Sequence, residues 1–562
     1  MPYGIDDEIS AGFAIEADVI ATGGPSNGLP PDRFAAVVAS LRSKLRKRPA
    51  GDCADHSRAG HWYVRAMLPV TVRRTDACFV PDPRRVVAKR FVPGENLSPD
   101  GRSHTERIVS RVLSMPEADV VSTLRRAQRQ FGSRHVDLSS VLAENFATVA
   151  HLVGRVEELS TERRLLIGAY FTHEYSIEAA ALTNPSMVAA PEQGNLAAGE
   201  RRFFVSLRAI GEGHISSIQF RSGVIDAHGA IVMDDLSPYA TTARHRAPIY
   251  EKTMFRTKLS ELHSFNQISA TVLDALPERF TLEALEAAIR EVDRLQGSSS
   301  TATQATRTMH WLASSNYESS FAPDSSISER VIFPAGPTES HGMEDARFVR
   351  FTYDDGRVTY FATYTAFDGF QILPQLIETA DFVSFRIATL NGPCAKNKGM
   401  ALFPRMIDGR YFALSRLDNE NNLVMSSDNV HFWHECQKIQ VPVYPWELIQ
   451  LGNAGSPLET EAGWLVITHG VGPFRQYSLG ALLLDKEDPT RVIGHLAQPL
   501  LVPQDDERDG YVPNVVYSCG SMIAGDTLVL PYGFSDVGTR IATLPLADLL
   551  ACLTAKRAAL SH

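Results

Sequence analysis

The chain of 562 residues has few cysteines and a deficit of positive charge. None of its six cysteines forms a Cys-x-x-Cys pair, which argues against a zinc site or a thioredoxin-like motif, and a chain of this size needs no disulfide scaffold. Lys and Arg number 55 against 65 Asp and Glu, for a net charge of −10. Because nucleic-acid binding needs a clustered basic excess, this balance argues against nucleic acid as the main partner.

Long apolar runs and localisation signals are also missing. No stretch of about 18 uncharged apolar residues occurs, so we expect no membrane span. The first twenty residues contain no Lys or Arg, unlike a secretory signal, and we expect a cytoplasmic protein. The glycine-rich phosphate loop is absent, so any phosphate would be held by side chains. No cluster of metal-ligand spacing appears, and we expect no metal.

Hydrophobic periodicity divides the chain near residue 160. Residues 1–160 predict a largely helical extension, with a short helix at 33–47, a strand at 61–73 and amphipathic helices from 103 to 160, the last capped by Asp137 or Ser139. Residues 161–555 contain short apolar strands separated by Gly, Asp and Asn turns, including a hairpin over 348–365 with Asp355-Gly356 at its tip. We interpret about 245–305 as an insertion, with a helix at 281–295 followed by a flexible stretch at 297–306.

The strand pattern predicts a mainly β fold. Strands and Asp/Asn-Gly turns recur about every 50–60 residues between 201 and 544, a spacing compatible with the blades of a propeller. A sandwich or a barrel stays open on this pattern alone.

The densest group of unusual polar residues is Glu339–Arg347 (ESHGMEDAR). Because alternate residues of a strand face opposite sides, only one of Glu344 and Asp345 is expected to face a given cavity. That carboxyl would be a general acid, with Arg347 beside it. A salt bridge within a loop is the alternative.

Basic residues stand at the ends of four predicted strands: Arg208, Lys398, Arg416 and His469. Four cations at matching strand ends would surround an oxyanion if these strands converge. The alternative is a set of exposed residues at the rim of each sheet.

Several motifs, taken in order, resemble glycoside hydrolase family 130, the β-mannoside phosphorylases and related mannosidases. They are NPSMVAAPEQG with RRFFVSLRAIGEGHISSI, GMEDAR, KNKGMALFP with DGRYFALSR, GNAGSPLETEAGWLVITHGVG with YSLGALLLDKEDP, and YGFSDVGTRIA. The resemblance covers about 180–245 and 310–550. It implies a five-bladed β-propeller catalytic domain, to which this chain adds the N-terminal extension and the helical insertion.

The same resemblance implies roles for individual residues. Asp345 would be the general acid, in a motif that reads Glu-Asp-Ala-Arg here, with Ala346 where the family has proline. The phosphate-binding positions would be Lys398, Arg416, His469 and Tyr477. The sugar-binding positions would be Asn184, Ser186, Arg208, Arg347 and Asp536.

The implied reaction is inverting phosphorolysis of a β-mannoside, with a β-1,2-linked manno-oligosaccharide as the first choice of substrate and α-mannose 1-phosphate as product. Inorganic phosphate would be the co-substrate, and no other cofactor is expected. Two alternatives remain: a β-mannosidase on the same fold, for which Glu420 and Glu447 are the carboxylates to examine, and a non-catalytic sugar-binding propeller. Self-association is left open.

Overall fold

The computed structural model describes residues 70–94, 101–246, 248–296 and 300–559. The helix predicted at 33–47 and most of the strand predicted at 61–73 lie outside these residues. The fold is mainly β, as predicted. Of the helices described, none combines the length and the hydropathy that crossing a bilayer requires.

In the described residues we distinguish five antiparallel groups of four hydrogen-bonded strands, named sheets I to V, of which sheets I and II are parts of one larger sheet. Sheet V takes its outer strand from the N-terminal part of the chain. Sheet I consists of Ala181–Ala189, Arg201–Ile210, Ser216–Ile225 and Ile231–Met233. Sheet II consists of Gly342–Thr352, Val358–Phe367, Ile372–Thr379 and Ser384–Thr389. Sheet III consists of Ala401–Leu402, Tyr411–Ser415, Asn422–Ser427 and Glu435–Gln440. Sheet IV consists of Gln450–Asn453, Gly463–Val471, Tyr477–Leu484 and Val492–His495. Sheet V consists of Val516–Tyr517, Thr527–Phe534, Gly538–Pro545 and Arg73–Phe79.

Shorter strands extend this framework. Gly342 pairs in parallel with Ser216, so sheets I and II belong to one twelve-stranded sheet. That sheet also contains Thr241–Thr242, Arg244–Arg246, Tyr317–Ser320 and Arg330–Ile332. Leu458–Thr460 joins sheet IV and Met522–Ala524 joins sheet V. Two separate ribbons pair Val86–Arg90 with Thr172–Ser176 and Tyr250–Glu251 with Arg279–Phe280.

Each sheet packs against two others in a cyclic order. Phe220 of sheet I meets Phe348 of sheet II, and Phe361 of sheet II shares a core with Met425 of sheet III. Buried side chains join sheets III and IV, and sheets IV and V, in the same way. A further core, containing Leu182, Phe203, Val529 and Ile541, joins sheet V back to sheet I. Both faces of these sheets are therefore covered, and strands such as Ala181–Ala189 and Gly463–Val471 are almost continuously buried along their length.

Two predicted features of the β region can be compared directly. The hairpin predicted over 348–365 is confirmed, since Gly342–Thr352 pairs with Val358–Phe367 around the Asp355-Gly356 turn. Sheet V contains a strand that sequence patterning did not assign to it. Arg73–Phe79 pairs with Gly538–Pro545, and Arg74 donates to Glu507 from Nε at 3.0 Å and Nη2 at 2.9 Å.

Before sheet I, the described residues form the α-helices His104–Leu113, Glu117–Phe131, Leu138–Val149 and Thr161–Tyr170. Their apolar faces share one core that includes Val109, Leu124, Phe146 and Leu166. Asp137 caps the third helix by accepting a hydrogen bond from the amide of Ser140 at 3.0 Å. That helix ends at Val149, about ten residues before the end of the predicted amphipathic stretch.

Between sheets I and II, the part of the chain that the structure describes contains the α-helices Lys252–Glu261, Gln267–Asp274, Leu282–Gln296 and Ser300–Ser314. The helix predicted at 281–295 is confirmed. The flexible stretch predicted at 297–306 is wrong from Ser300 onward, where a helix begins whose Met309 and Leu312 fill a core with Leu259 and Leu285. A last helix, Leu546–Ala559, packs Leu549 and Leu553 against sheets IV and V.

Candidate functional site

A cavity of about 360 Å³ opens where one end of all five sheets meets. Its walls come from the sheet ends, namely from the strands themselves, from the segments that precede the first strands and from the loops that join the second and third strands. The lining side chains are Asn184, Arg208, Glu344, Asp345, Lys398, Arg416, Asn419, Gln450, Arg475, Tyr477, Val512, Val515, Tyr517 and Asp536. Polar groups as far apart in the sequence as Asn184 and Asp536 therefore share one site.

The conformation of Asp345 explains how the acidic pair reaches the cavity. The pairing of Gly342–Thr352 with its neighbour is irregular between Glu344 and Arg347, and Asp345 has a φ of +55°. A bulge breaks the two-residue alternation of a strand. Both Glu344 and Asp345 consequently line the cavity, and the expectation that only one of them would do so is wrong. Asn184, also in the left-handed region, donates from Nδ2 to Asp345 Oδ1 at 2.5 Å.

Glu344 connects two of the predicted cations. Its Oε1 accepts from Arg208 Nη2 at 2.7 Å, and its Oε2 accepts from Lys398 Nζ at 2.5 Å. Burial favours the protonated carboxyl, but the charges of Arg208 and Lys398 hold the pKa of Glu344 below its ordinary value. The salt bridge foreseen as the alternative for this segment thus exists at Glu344. Among the described residues, Asp345 forms no ion pair of its own.

Arg416 and His469 lie next to each other at the cavity wall. Both pack over Gly452, where a Cβ atom would be 2.3 Å from Arg416 Cδ and 2.6 Å from His469 Cε1. Arg416 lines the cavity, whereas His469 is fully buried and does not. Burial, together with the charges of Arg416 and Arg347, holds the pKa of His469 well below its usual value. The sequence-based picture of His469 as a further cation is therefore wrong.

The tautomer of His469 follows from its neighbour. His469 Nδ1 is 3.1 Å from the carbonyl oxygen of Asn453, a group that only accepts, so Nδ1 carries the proton. Nε2 of the neutral ring is then an acceptor, and in the structure it is buried without a hydrogen-bond partner. A ligand with a hydroxyl group would satisfy it.

Arg347 supports the wall and does not reach the cavity itself. It is buried and donates to the carbonyl oxygen of Asn453 at 3.0 Å and to the hydroxyl of Tyr517 at 2.8 Å. Tyr517 lines the cavity, and its ring centroid is 4.8 Å from that of His469. Arg347, expected to bind sugar, thus lies outside the cavity lining and is hydrogen-bonded to Tyr517.

The remaining predicted site residues divide into two groups. Asp536 and Tyr477 line the cavity; burial raises the pKa of Asp536, and the Tyr477 hydroxyl accepts from Gln450 Nε2 at 3.2 Å. Ser186 does not line it. Its hydroxyl is fully buried and accepts the amide of Phe348 at 2.9 Å, so the expectation of sugar contact at Ser186 is wrong for this structure.

The two carboxylates examined for a hydrolytic reaction both lie outside the cavity lining. Glu447 is fully buried, where its Oε1 accepts the amides of Val443 and Tyr444 at 3.0 and 3.1 Å. Glu420 is exposed in the loop after Arg416.

Sequence reasoning missed several lining residues, among them Gln450, Arg475 and Tyr517. Arg475 adds a fourth cation to Arg208, Lys398 and Arg416, against three carboxylates. The available signal was positional, because each missed residue lies in a loop or short strand at the same sheet ends as a predicted one. Within the described ranges, no group of three His, Cys, Asp or Glu side chains is arranged to hold a metal ion.

Comparison of the sequence with known proteins identifies related enzymes. The sequence model of glycoside hydrolase family 130, described as beta-1,4-mannooligosaccharide phosphorylase, matches residues 318–555. A 1,2-beta-oligomannan phosphorylase from Thermoanaerobacter sp. (strain X514) is 34% identical over 220 residues, which are 38% of this chain and 71% of that protein. A beta-1,2-mannobiose phosphorylase from Listeria innocua is 30% identical over 226 residues, 39% of this chain and 62% of the relative.

A solved structure of beta-1,2-mannobiose phosphorylase from Listeria innocua, in complex with beta-1,2-mannobiose, aligns with 68% of this chain and 99% of its own, at 20% identity and a TM-score of 0.39. The family assignment depends on the sequence matches and not on this alignment. The predicted enzyme class, a glycoside phosphorylase, is confirmed at the level of the family. The chain belongs to glycoside hydrolase family 130.

Proposed function

We propose that this protein is an inverting phosphorylase of β-mannosides that releases α-mannose 1-phosphate. The observation that carries the proposal is the content of one cavity, where the unpaired carboxylate of Asp345 faces the same space as Lys398, Arg416 and Arg475. An inverting displacement by phosphate needs one acid and a separate site of positive charge that binds the phosphate.

Asp345 is the proton donor in this reaction. Its proton passes, through a hydroxyl of the mannosyl ring, to the glycosidic oxygen as the bond from that oxygen to the anomeric carbon breaks. A phosphate oxygen forms the new bond to the anomeric carbon from the opposite face, and inversion of a β-linkage gives the α-phosphate. Phosphate already carries its nucleophilic charge, so no general base is required.

Lys398 and Arg416 bind the phosphate as cations, and Tyr477 donates its hydroxyl. His469 contributes as a neutral ring: its unprotonated Nε2 suits the remaining hydroxyl of monohydrogen phosphate once the ligand reaches it. Arg208, Asn184 and Asp536 are assigned to the mannosyl unit.

A mannosidase on the same fold is the second candidate, and the carboxylates argue against it. An inverting hydrolase needs a carboxylate base to activate water. Glu420 and Glu447 do not line the cavity, and Glu344 is bound by two cations, a state in which it is a weak base. Asp536, the remaining carboxylate of the lining, is assigned to the mannosyl unit in this proposal.

Two finer assignments accompany this function. The relatives that match the largest share of the chain are named for 1,2-linked substrates, which favours a β-1,2-linked manno-oligosaccharide as substrate. The five sheets and their cyclic packing support a five-bladed β-propeller. We also propose a cytoplasmic location, where thiols such as the buried Cys394 and Cys519 stay reduced.

The test is incubation of the protein with β-1,2- and β-1,4-mannobiose, with and without inorganic phosphate, followed by assay for mannose and mannose 1-phosphate. We expect mannose 1-phosphate only when phosphate is present. Asp345→Asn, which keeps a residue that tolerates a φ of +55°, should lower the rate by about 10²–10⁴-fold without unfolding the protein. Release of free mannose at the same rate without phosphate would refute the phosphorylase and favour the hydrolase.

A further inference from the structure

Three aromatic side chains stand out by their exposure. Phe474 is 98% exposed, Phe370 is 93% exposed and Tyr511 is 73% exposed, more than any other large aromatic side chain in the part of the chain described. All three lie on loops, and a large apolar side chain held in water normally marks a surface that binds something.

These loops belong to the end of the sheets where the cavity opens. Phe474 lies in the loop that joins the second and third strands of sheet IV, and the next residue, Arg475, lines the cavity. Tyr511 precedes Val512, which also lines it. Phe370 lies at the tip of the corresponding loop of sheet II. The exposed aromatic residues and the site therefore share one end of the molecule.

The backbone at Phe474 is unusual for a residue that packs against nothing. Phe474 and Arg475 have successive φ values of +56° and +54°, a region that costs a non-glycine residue roughly 1–2 kcal/mol. Two hydrogen bonds fix the turn, from Gly472 N to the oxygen of Gln476 at 3.0 Å and from Gln476 N to the oxygen of Pro473 at 3.2 Å. Strained backbone that presents an exposed ring is typical of a ligand contact.

Tyr511 is held by a neighbour from another sheet. His214, in the turn between the second and third strands of sheet I, has a φ of +60° and its ring centroid is 5.6 Å from that of Tyr511, at an interplanar angle of 33°. The two rings thus form one exposed surface beside the cavity mouth.

The size of the cavity limits what it can hold. A volume of about 360 Å³ is near the small end of the roughly 300–1,000 Å³ range of ligand sites. The acid and the cations fill its walls, so the reacting mannosyl unit and phosphate occupy it. The leaving saccharide must then extend through the mouth, past Phe474 and Tyr511.

We propose that Phe474 and Tyr511 are platforms on which hexose units beyond the scissile bond stack, so that the enzyme prefers oligosaccharides to the disaccharide. This inference depends on the proposed function. The C–H faces of a hexose pack on aromatic rings as other apolar groups do, and binding energy from such remote units is gained before the reacting centre changes. The preference therefore appears mainly in KM.

The experiment measures phosphorolysis of β-1,2-mannobiose and β-1,2-mannotetraose by the native protein, by Phe474→Ala and by Tyr511→Ala. Tyr170→Ala serves as the control, since Tyr170 is an exposed aromatic at the end of an N-terminal helix. For each platform variant we expect the KM for the tetraose to rise about three- to tenfold more than the KM for the disaccharide. The control should leave the ratio of the two KM values unchanged.

The affinity for mannotetraose, measured by calorimetry, can be compared between Asp345→Asn and the double variant that also carries Phe474→Ala. This measurement does not need turnover. Weaker binding in the double variant supports the platform even if the products differ from those proposed. Phosphorolysis with an unchanged ratio of KM values refutes the platform and leaves the proposed function intact. Absence of phosphorolysis and of tetraose binding refutes both. A change in oligomeric state of the variants, with the ratio unchanged, would assign these rings to contact with a second copy of the chain.

Discussion

Lys398→Met offers the sharpest test of the proposed phosphate-binding site. Methionine keeps a long unbranched side chain and removes the ammonium group, which lies 2.5 Å from Glu344 Oε2. Loss of a charge-assisted hydrogen bond to phosphate costs about 1.5–3 kcal/mol, which corresponds to a rise of about 10- to 150-fold in the phosphate KM. Glu344 would keep Arg208 as its partner, at 2.7 Å.

Stability should change little. The Lys398 side chain is 40% exposed, and an ion pair with that exposure contributes about 1 kcal/mol or less to folding. The thermal midpoint of Lys398→Met is therefore expected to lie within a few degrees of that of the native protein, so that a loss of phosphate affinity is not a loss of fold.

The chain supplies a matched control in Lys486→Met. Lys486 is also 40% exposed and pairs, at 3.3 Å, with Glu459, which is held by an arginine as Glu344 is. Initial rates of mannose 1-phosphate release at saturating β-mannobiose and varied phosphate should separate the two variants. A phosphate KM for Lys398→Met within twofold of the native value, or an equal shift in both variants, would refute a specific role for Lys398.

Three further predictions follow from contacts around the site and below it. Gly452→Ala should raise the phosphate KM at least tenfold, because its Cβ would be 2.3 Å from Arg416 Cδ and would displace that side chain; an unchanged KM in the folded variant would contradict this. His469 should stay neutral in an NMR titration from pH 8 to 6, since burial and the Arg416 charge hold its pKa well below 6.5. Because the histidine of the unfolded chain binds a proton at a higher pH than the folded one, the free energy of unfolding should fall as the pH drops below 6.5. Hydrogen bonds from Arg74 outweigh burial and lower the pKa of Glu507 from 4.5 to about 2, so on the order of 3 kcal/mol of stability should be present above pH 4.5 and be lost as the pH falls toward 2. Urea unfolding should show that the native protein loses roughly 2 kcal/mol more stability than Glu507→Gln between pH 7 and pH 3.

Local patterns predicted local structure well. The Asp355-Gly356 turn between alternating strands predicted the hairpin of sheet II, and the spacing at 281–295 predicted its helix, because both depend on contacts between near neighbours. The repeated cations at strand ends also predicted that Lys398 and Arg416 would share a site. These inferences need only the direction of each strand.

What the sequence did not reveal depends on backbone detail and on burial. The φ of +55° at Asp345 places both carboxylates on the cavity, and no residue type in GMEDAR signals that bulge. In the sequence His469 follows an apolar run as Arg416 does, but it lies inside the strand Gly463–Val471 and its burial removes the charge expected of it. Ser186 matches a sugar-binding motif, but its hydroxyl is used by the amide of Phe348.

The outer strand of sheet V has a consequence for biosynthesis. Thr75 donates its hydroxyl to the carbonyl oxygen of Ile541, a residue 466 positions later in the chain. At about 5–20 residues per second a ribosome needs roughly 20 to 90 seconds to make the stretch between them. Throughout that delay Arg73–Phe79 has no partner from sheet V, so the nascent protein is exposed to aggregation at this segment until its last sheet is made.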